Sequence, residues 1–134
     1  MKAVIASDYG PAEQFTIAEI PVPEPGPGQI QIRVAASSVN PADVWVTSGA
    51  AQGMLEVSFA QVLGNDVAGT VTAVGEGVSV HRVGDEVFGM AIPRVMGAIP
   101  AMAHAAKGTG AMAEYVVVDA GTPFIVDERV KFSV

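Results

Sequence analysis

Residues 63–89 constrain this chain more than any other stretch. They run Leu63-Gly64-Asn65-Asp66-Val67-Ala68-Gly69-Thr70-Val71-Thr72-Ala73-Val74-Gly75-Glu76-Gly77-Val78 and, after a short spacer, Val83-Gly84-Asp85-Glu86-Val87-Phe88-Gly89. Val67, Val71 and Val74 branch at Cβ, which stiffens the first side-chain torsion and favours extended backbone. Gly75-Glu76-Gly77 interrupts the run with two residues that accept positive φ, so the chain can reverse there. Gly84-Asp85 reverses it again. The expected order is strand, tight turn, short strand, tight turn, strand. Gly69 falls inside the first strand, where glycine marks a bulge or a close backbone approach. The pattern is that of a β-meander packed in a core.

The 15 glycines and nine prolines among the 134 residues supply turns for a β-rich body. Half of the residues are apolar and only 16% are charged, which argues against a disordered chain. The length suits one domain over residues 1–134. A formal net charge of −7 repels nucleic-acid phosphates and anionic lipid, so neither nucleic acid nor a membrane is an expected partner. The absence of cysteine excludes disulfides and any thiolate zinc site, and it fits a cytoplasmic protein. The one long apolar region, Met90–Met112, is broken by Pro93, Arg94, Pro100 and Lys107 and is not a membrane span. Its length without a clear pattern suggests a functional or mobile loop.

Taken in order, Lys2–Ser7 predicts a strand and Asp8-Tyr9-Gly10-Pro11 a turn. Phe15–Ile20 predicts a second strand with Phe15, Ile17 and Glu19 on one face. Pro21–Gly28 carries four prolines and cannot pair as a central strand. Gln29–Ser37 alternates cleanly, with Ile30, Ile32 and Val34 on one side and Gln29, Gln31 and Arg33 on the other. Asn40-Pro41 begins a short helix, because Asn caps well and Pro suits the first helical position. Asp43 then lies in the first turn, where the helix dipole favours a carboxylate. The helix stops near Ser48 at Gly49. Met54, Leu55, Val57 and Phe59 are candidates to cover a core edge. Ala111–Asp119 returns to strand, Phe124–Val126 makes another, and Val130, Phe132 and Val134 alternate as a last one would. His81 and His104 are expected to face solvent.

Three stretches match a known family in order and spacing: "LGNDVAGTVTAVGEGV…VGDEVFG", Val39-Asn40-Pro41-Ala42-Asp43 and Gly110-Ala111-Met112-Ala113-Glu114-Tyr115-Val116-Val117-Val118. The opening "PVPEPGPGQIQIRVAASSVNPAD" fits as well. Together they resemble the GroES-like N-terminal catalytic domain of the medium-chain dehydrogenase/reductase superfamily, and most nearly its zinc-free quinone oxidoreductase branch. The resemblance runs from Met1 to about Val126. It implies a mainly β fold, a GroES-like partly open β-barrel with short helices. It also implies the substrate side of an NADPH-dependent oxidoreductase reducing quinones, enones or other carbonyls.

The resemblance places Asn40 at the mouth of the cleft, near nicotinamide and substrate. An Asn offers both a donor and an acceptor there. Asn40 and Asp43 are therefore the candidate catalytic residues, and Asn40 is also the candidate cofactor contact. The alternative from the residues alone is a helix cap. The zinc-dependent branch has a cysteine, then Gly-His-Glu at the position of Gly64-Asn65-Asp66. Asn65 thus stands at the histidine position, no zinc is expected, and Asn65 and Trp45 are the candidate substrate-binding residues. Where the quinone branch often has a tyrosine, this chain has Ala51, which argues against a specifically quinone site. Gly108–Ala113 precedes a strand instead of opening a helix, so it is not a phosphate loop.

Family members continue into a nucleotide-binding domain, and no Rossmann unit fits in Asp127–Val134. The expectation is that NADPH binds this chain weakly or not at all unless that domain is supplied elsewhere. A separate nucleotide-binding chain or a homo-oligomer is then the expected partner, beside a small-molecule substrate. The alternative is a free-standing GroES-like binding or assembly module without catalysis.

Overall fold

The computed structural model describes residues 1–53, 57, 59–91 and 110–126. Eight strands and one α-helix are formed among them: β1 (Lys2–Ala6), β2 (Thr16–Glu19), β3 (Gln29–Ser37), α1 (Pro41–Thr47), β4 (Gln61–Val62), β5 (Asp66–Val74), β6 (Glu86–Met90), β7 (Tyr115–Asp119) and β8 (Pro123–Ile125). The strands make a three-stranded sheet, β2-β1-β4, and a five-stranded sheet, β7-β3-β5-β6-β8. All the pairings between these strands are antiparallel. The fold is mainly β, in two sheets that do not close into a barrel.

The core lies on one face of the five-stranded sheet. Ile30 and Ile32 of β3 are fully buried, with Val67 and Val71 of β5, Val87 of β6 and Val116 and Val118 of β7 packed around them. Alternation put Ile30 and Ile32 inward, because successive side chains of a strand leave on opposite faces. Val34 packs against the same cluster at its margin.

Gly69 pairs with Val34 at a register shift in β3, and a Cβ built there would stand 2.2 Å from the Arg33 carbonyl oxygen. The glycine is thus required by close approach of two backbones.

The segment 110–113 stitches the two sheets together. The Ala111 and Met112 amides donate to the Gly64 and Leu63 carbonyls at 2.9 and 2.8 Å, and the Val4 amide donates to the Met112 carbonyl at 2.8 Å. Ala3 bridges Ala113. A smaller core of Ala3, Ile5 and Val62 forms under the three-stranded sheet.

Three expectations are corrected. Residues 78–83 form no strand; β5 pairs with β6 directly, and an irregular loop joins them. Val80 and Val83 are exposed, so no burial rewarded a strand there. The sequence left open which face of β2 is inward: Ile17 is exposed, and Ala18 with Ile20 packs on the smaller core. Leu63–Asn65 is not the start of the central strand. It is the corner where the chain leaves β4 in one sheet for β5 in the other, with Gly64 at φ 101°. His81 is buried, not solvent-facing. Its Nε2 lies 2.8 Å from the Ala120 carbonyl oxygen, which ties the 75–85 loop to the turn after β7.

Val57 packs on Val46 and Ala51, and Phe59 meets Tyr9 edge-on at 4.8 Å. Met54, Leu55, His104, residues 92–109 of the Met90–Gly110 loop and the Val130–Val134 alternation lie outside the described residues.

Candidate functional site

The site grows from the start of α1. Asn40 is extended (φ −115°, ψ 148°) and Pro41 follows at the first helical position, so the helix starts where the sequence placed it. Asn40 and Asp43 form a capping box. The Asn40 amide donates to Asp43 Oδ2 at 2.9 Å, and the Asp43 amide donates to the Asn40 carbonyl at 3.0 Å. Spacing of three and four residues turns Asp43, Val46 and Thr47 inward. Trp45, offset by about half a turn from Asp43, faces outward and is 38% exposed.

Asp43 does more than cap. It is 6% exposed, and its Oδ1 accepts the Gly64 amide at 3.0 Å. One carboxylate therefore binds the helix start to the corner between the two sheets, with a backbone amide on each oxygen. Asn65 comes next in the chain, half-buried, its carbonyl accepting the Ala91 amide at 2.7 Å.

Asp66 then brings β5 under the helix. Its Oδ2 accepts Asn40 Nδ2 at 2.8 Å and Ser38 Oγ at 2.5 Å, and Asn40 Nδ2 also donates to Ser38 Oγ at 3.1 Å. Ser37 Oγ donates to the Asp66 carbonyl at 2.8 Å. Three side chains from two strand ends and a helix cap thus close a ring of hydrogen bonds.

This ring heads an open groove of about 450 Å³ on the outer face of the five-stranded sheet. Register explains the lining. Ala36, Ala68 and Phe88 are cross-strand neighbours, as are Asp66 and Met90. Asp66, Ala68, Phe88 and Met90 alternate with the core residues Val67 and Val87 and so line the other face, and the register shift between Val34 and Ala36 sets Ala36 opposite Ala68 on that face. The groove is apolar along its floor and polar at the Ser38–Asp66 end. Phe88, 47% exposed, meets Phe124 of β8 at 6.0 Å.

The structure thus brings Asn40 and Asp43 together, with Asn65 in the chain between their partners Gly64 and Asp66, while Trp45 stands on the exposed side of the helix. Sequence reasoning missed Ser38 and Asp66. Counting alternation back from the core valine Val67 puts Asp66 on the outer face. No sequence signal says that β3 ends beside β5.

Among the described residues, a mainly β body of eight strands with one short capped helix at the corner of two sheets defines a GroES-like domain. The chain belongs to the alcohol dehydrogenase GroES-like domain family, whose profile matches residues 26–127, and with it to the N-terminal domain of the medium-chain dehydrogenase/reductase superfamily. A quinone oxidoreductase of Lama guanicoe is 37% identical over 89 residues, 66% of this chain and 26% of that protein. The solved quinone oxidoreductase of Pseudomonas syringae pv. tomato DC3000 superposes with a TM-score of 0.77 at 25% identity, covering 98% of this chain and 35% of that one. An alcohol dehydrogenase superfamily protein of Novosphingobium aromaticivorans gives a TM-score of 0.74 at 30% identity, covering 98% and 36%. The chain therefore spans between a quarter and two-fifths of these relatives.

Proposed function

We propose that this chain is the substrate-side domain of an NADPH-dependent, zinc-independent oxidoreductase that reduces quinones or other conjugated carbonyls. The observation that carries the reading is the Asn40–Asp66 corner at the polar end of an apolar groove, in a domain whose relatives are named as oxidoreductases. NADPH, held by a nucleotide-binding domain, supplies the hydride. The residues of this chain bind and orient. The groove floor of Ala36, Ala68 and Phe88 takes an apolar ring out of water. Asn40 meets the reacting end of the ligand, and Asp43 keeps Asn40 in place through the helix start.

The corner does not fit zinc. It offers one carboxylate, Asp66, beside the neutral carboxamides of Asn40 and Asn65, where a tetrahedral zinc takes three or four thiolate, imidazole or carboxylate ligands. Among the described residues no three His, Cys, Asp or Glu side chains gather as a metal group. A cytoplasmic location is part of the same proposal. Among the described residues no helix is long and apolar enough to cross a membrane.

The test uses native protein captured from cells through this chain. NADPH oxidation should proceed with 1,4-naphthoquinone or an α,β-unsaturated ketone, and it should survive exhaustive EDTA treatment. Asn40→Ala should lower kcat/KM roughly tenfold, the worth of one hydrogen bond. The proposal fails if no conjugated carbonyl drives NADPH oxidation, or if chelation abolishes the activity.

A further inference from the structure

We infer that an apolar row runs from the groove onto β8 and makes the chain select conjugated ketones with an extended apolar substituent, Phe88 and Phe124 reading its length. The strand pairings draw that row. Ala36 of β3 pairs with Ala68 of β5, Ala68 with Phe88 of β6, and Phe88 with Phe124 of β8. Paired residues share a face, so the four side chains stand in one line across four strands. Neighbouring strands lie about 4.8 Å apart, which makes the row about 14 Å long. It begins with two methyl groups and ends with two rings whose centroids are 6.0 Å apart. The result is a step, a low floor against a raised aromatic wall. The groove of about 450 Å³ lies on that floor, with Ala36, Ala68 and Phe88 in its lining.

The flanking residues decide what the row can hold. On one side Arg33, Thr70 and Glu86 are paired in the next row of the same face, and both charged side chains are exposed. On the other side stand Ser38 and Asp66, joined by a hydrogen bond. Same-face residues of one strand are about 7 Å apart, so over Ala68 the apolar band is one side chain wide between Thr70 and Asp66. A helix is about 10 Å across with its side chains and would press charged groups out of water. A stable protein interface takes roughly 800 Å² from each partner, more than four side chains supply. A flat ring or an extended alkyl chain fits the band, lying on the alanines with its end against Phe88. A longer group gains contact with Phe124, which is 68% exposed. The substrate clause rests on the oxidoreductase reading above; the seat itself does not.

The seat is tested by NMR of the dilute, 15N-labelled 134-residue chain with 2-acetonaphthone and acetone as probes. 2-Acetonaphthone should shift the amide signals of Ala68, Phe88 and Phe124 several-fold more than acetone at the same concentration. Ala68→Leu, which fills the floor, should abolish the response, whereas Thr70→Val, one row away, should keep it. The Val71 amide, bound to the Asp85 carbonyl at 2.9 Å, reports in each variant that β5 remains folded. No response at the row in the parent chain, or a response that Ala68→Leu leaves intact, overturns the seat. Row signals that move with protein concentration and not with the probe assign the row to a second copy of the chain, and overturn it too.

The substrate clause is tested on native protein captured from cells, with 3-buten-2-one and 1-octen-3-one. The two share the reacting enone and differ by four CH2 groups. Each fully buried CH2 is worth up to about fourfold, so partial burial on an open row should raise kcat/KM about tenfold for the longer ketone. Phe124→Ala should cut that ratio several-fold. Equal kcat/KM for the two ketones, or a ratio that Phe124→Ala leaves intact, overturns the clause. Reduction of neither defeats the oxidoreductase reading and the clause with it, while the seat is judged by the probes alone.

Discussion

At the residue scale, Asp43 carries the corner. It is buried, and backbone amides from Asn40 and Gly64 reach its two oxygens. Asp43→Ala leaves the Gly64 amide buried without its acceptor and removes a charged cap. The expected loss is about 3 kcal/mol of unfolding free energy in a urea titration. A loss below about 1 kcal/mol would mean that the corner is held by something else. The glycines divide in the same way. At Gly69 a Cβ meets backbone at 2.2 Å, whereas at Gly77 (φ 78°) nothing stands within 4 Å. Gly77→Ala should cost only the left-handed conformation, about 1–2 kcal/mol. Gly69→Ala must separate two paired strands and should cost more, read as a larger fall in the urea midpoint. The Gly69 approach was legible, because a glycine inside a valine-rich strand needs a reason. Asp66 and Ser38 were not, because their bond depends on which strand ends are neighbours.

At the scale of elements, α1 formed where its cap and its terminating glycine placed it, and β3 formed over the residues that alternate. These signals are local, so neighbours in sequence suffice. The loop after β5 broke from expectation because a strand needs partners as well as β-branched residues. With β3 and β6 already paired to the two sides of β5, residues 78–83 had no free side of β5 to join. The loop is fastened instead by His81. Its Nε2 lies against the Ala120 carbonyl, and its Nδ1 has no hydrogen-bond partner among the described residues. His81→Ala should cost about 1–2 kcal/mol, from the lost hydrogen bond and the lost packing, and should speed amide exchange across the loop. Arg82→Ala is the control. That side chain is 90% exposed and pairs with Asp85 at 3.4 Å, so its removal should change stability by less than about 0.5 kcal/mol. Equal effects of the two substitutions would remove the fastening role from His81.

At the scale of the whole molecule, the five-stranded sheet ends, among the described residues, on β8, a short strand with exposed Phe124 and Ile125 beside exposed Phe88. An apolar strand at a sheet edge invites pairing with another chain. Sedimentation of the 134-residue chain should show a mass that rises with concentration, and Phe124→Lys with Ile125→Lys should suppress the rise. A monomer at every concentration would count against that surface. The sequence by itself determined what local chemistry can determine: β-rich composition, the inward phase of β3, the capped start of α1 and the glycine that two backbones require. It also carried the family, because the family's motifs are runs of contiguous residues. Only the tertiary structure decided which face of β2 is inward, where the chain changes sheets, that His81 is buried, and that Ser38 and Asp66 meet Asn40. Those outcomes depend on pairing between strands distant in sequence, and a one-residue change of register would send every side chain to the other face.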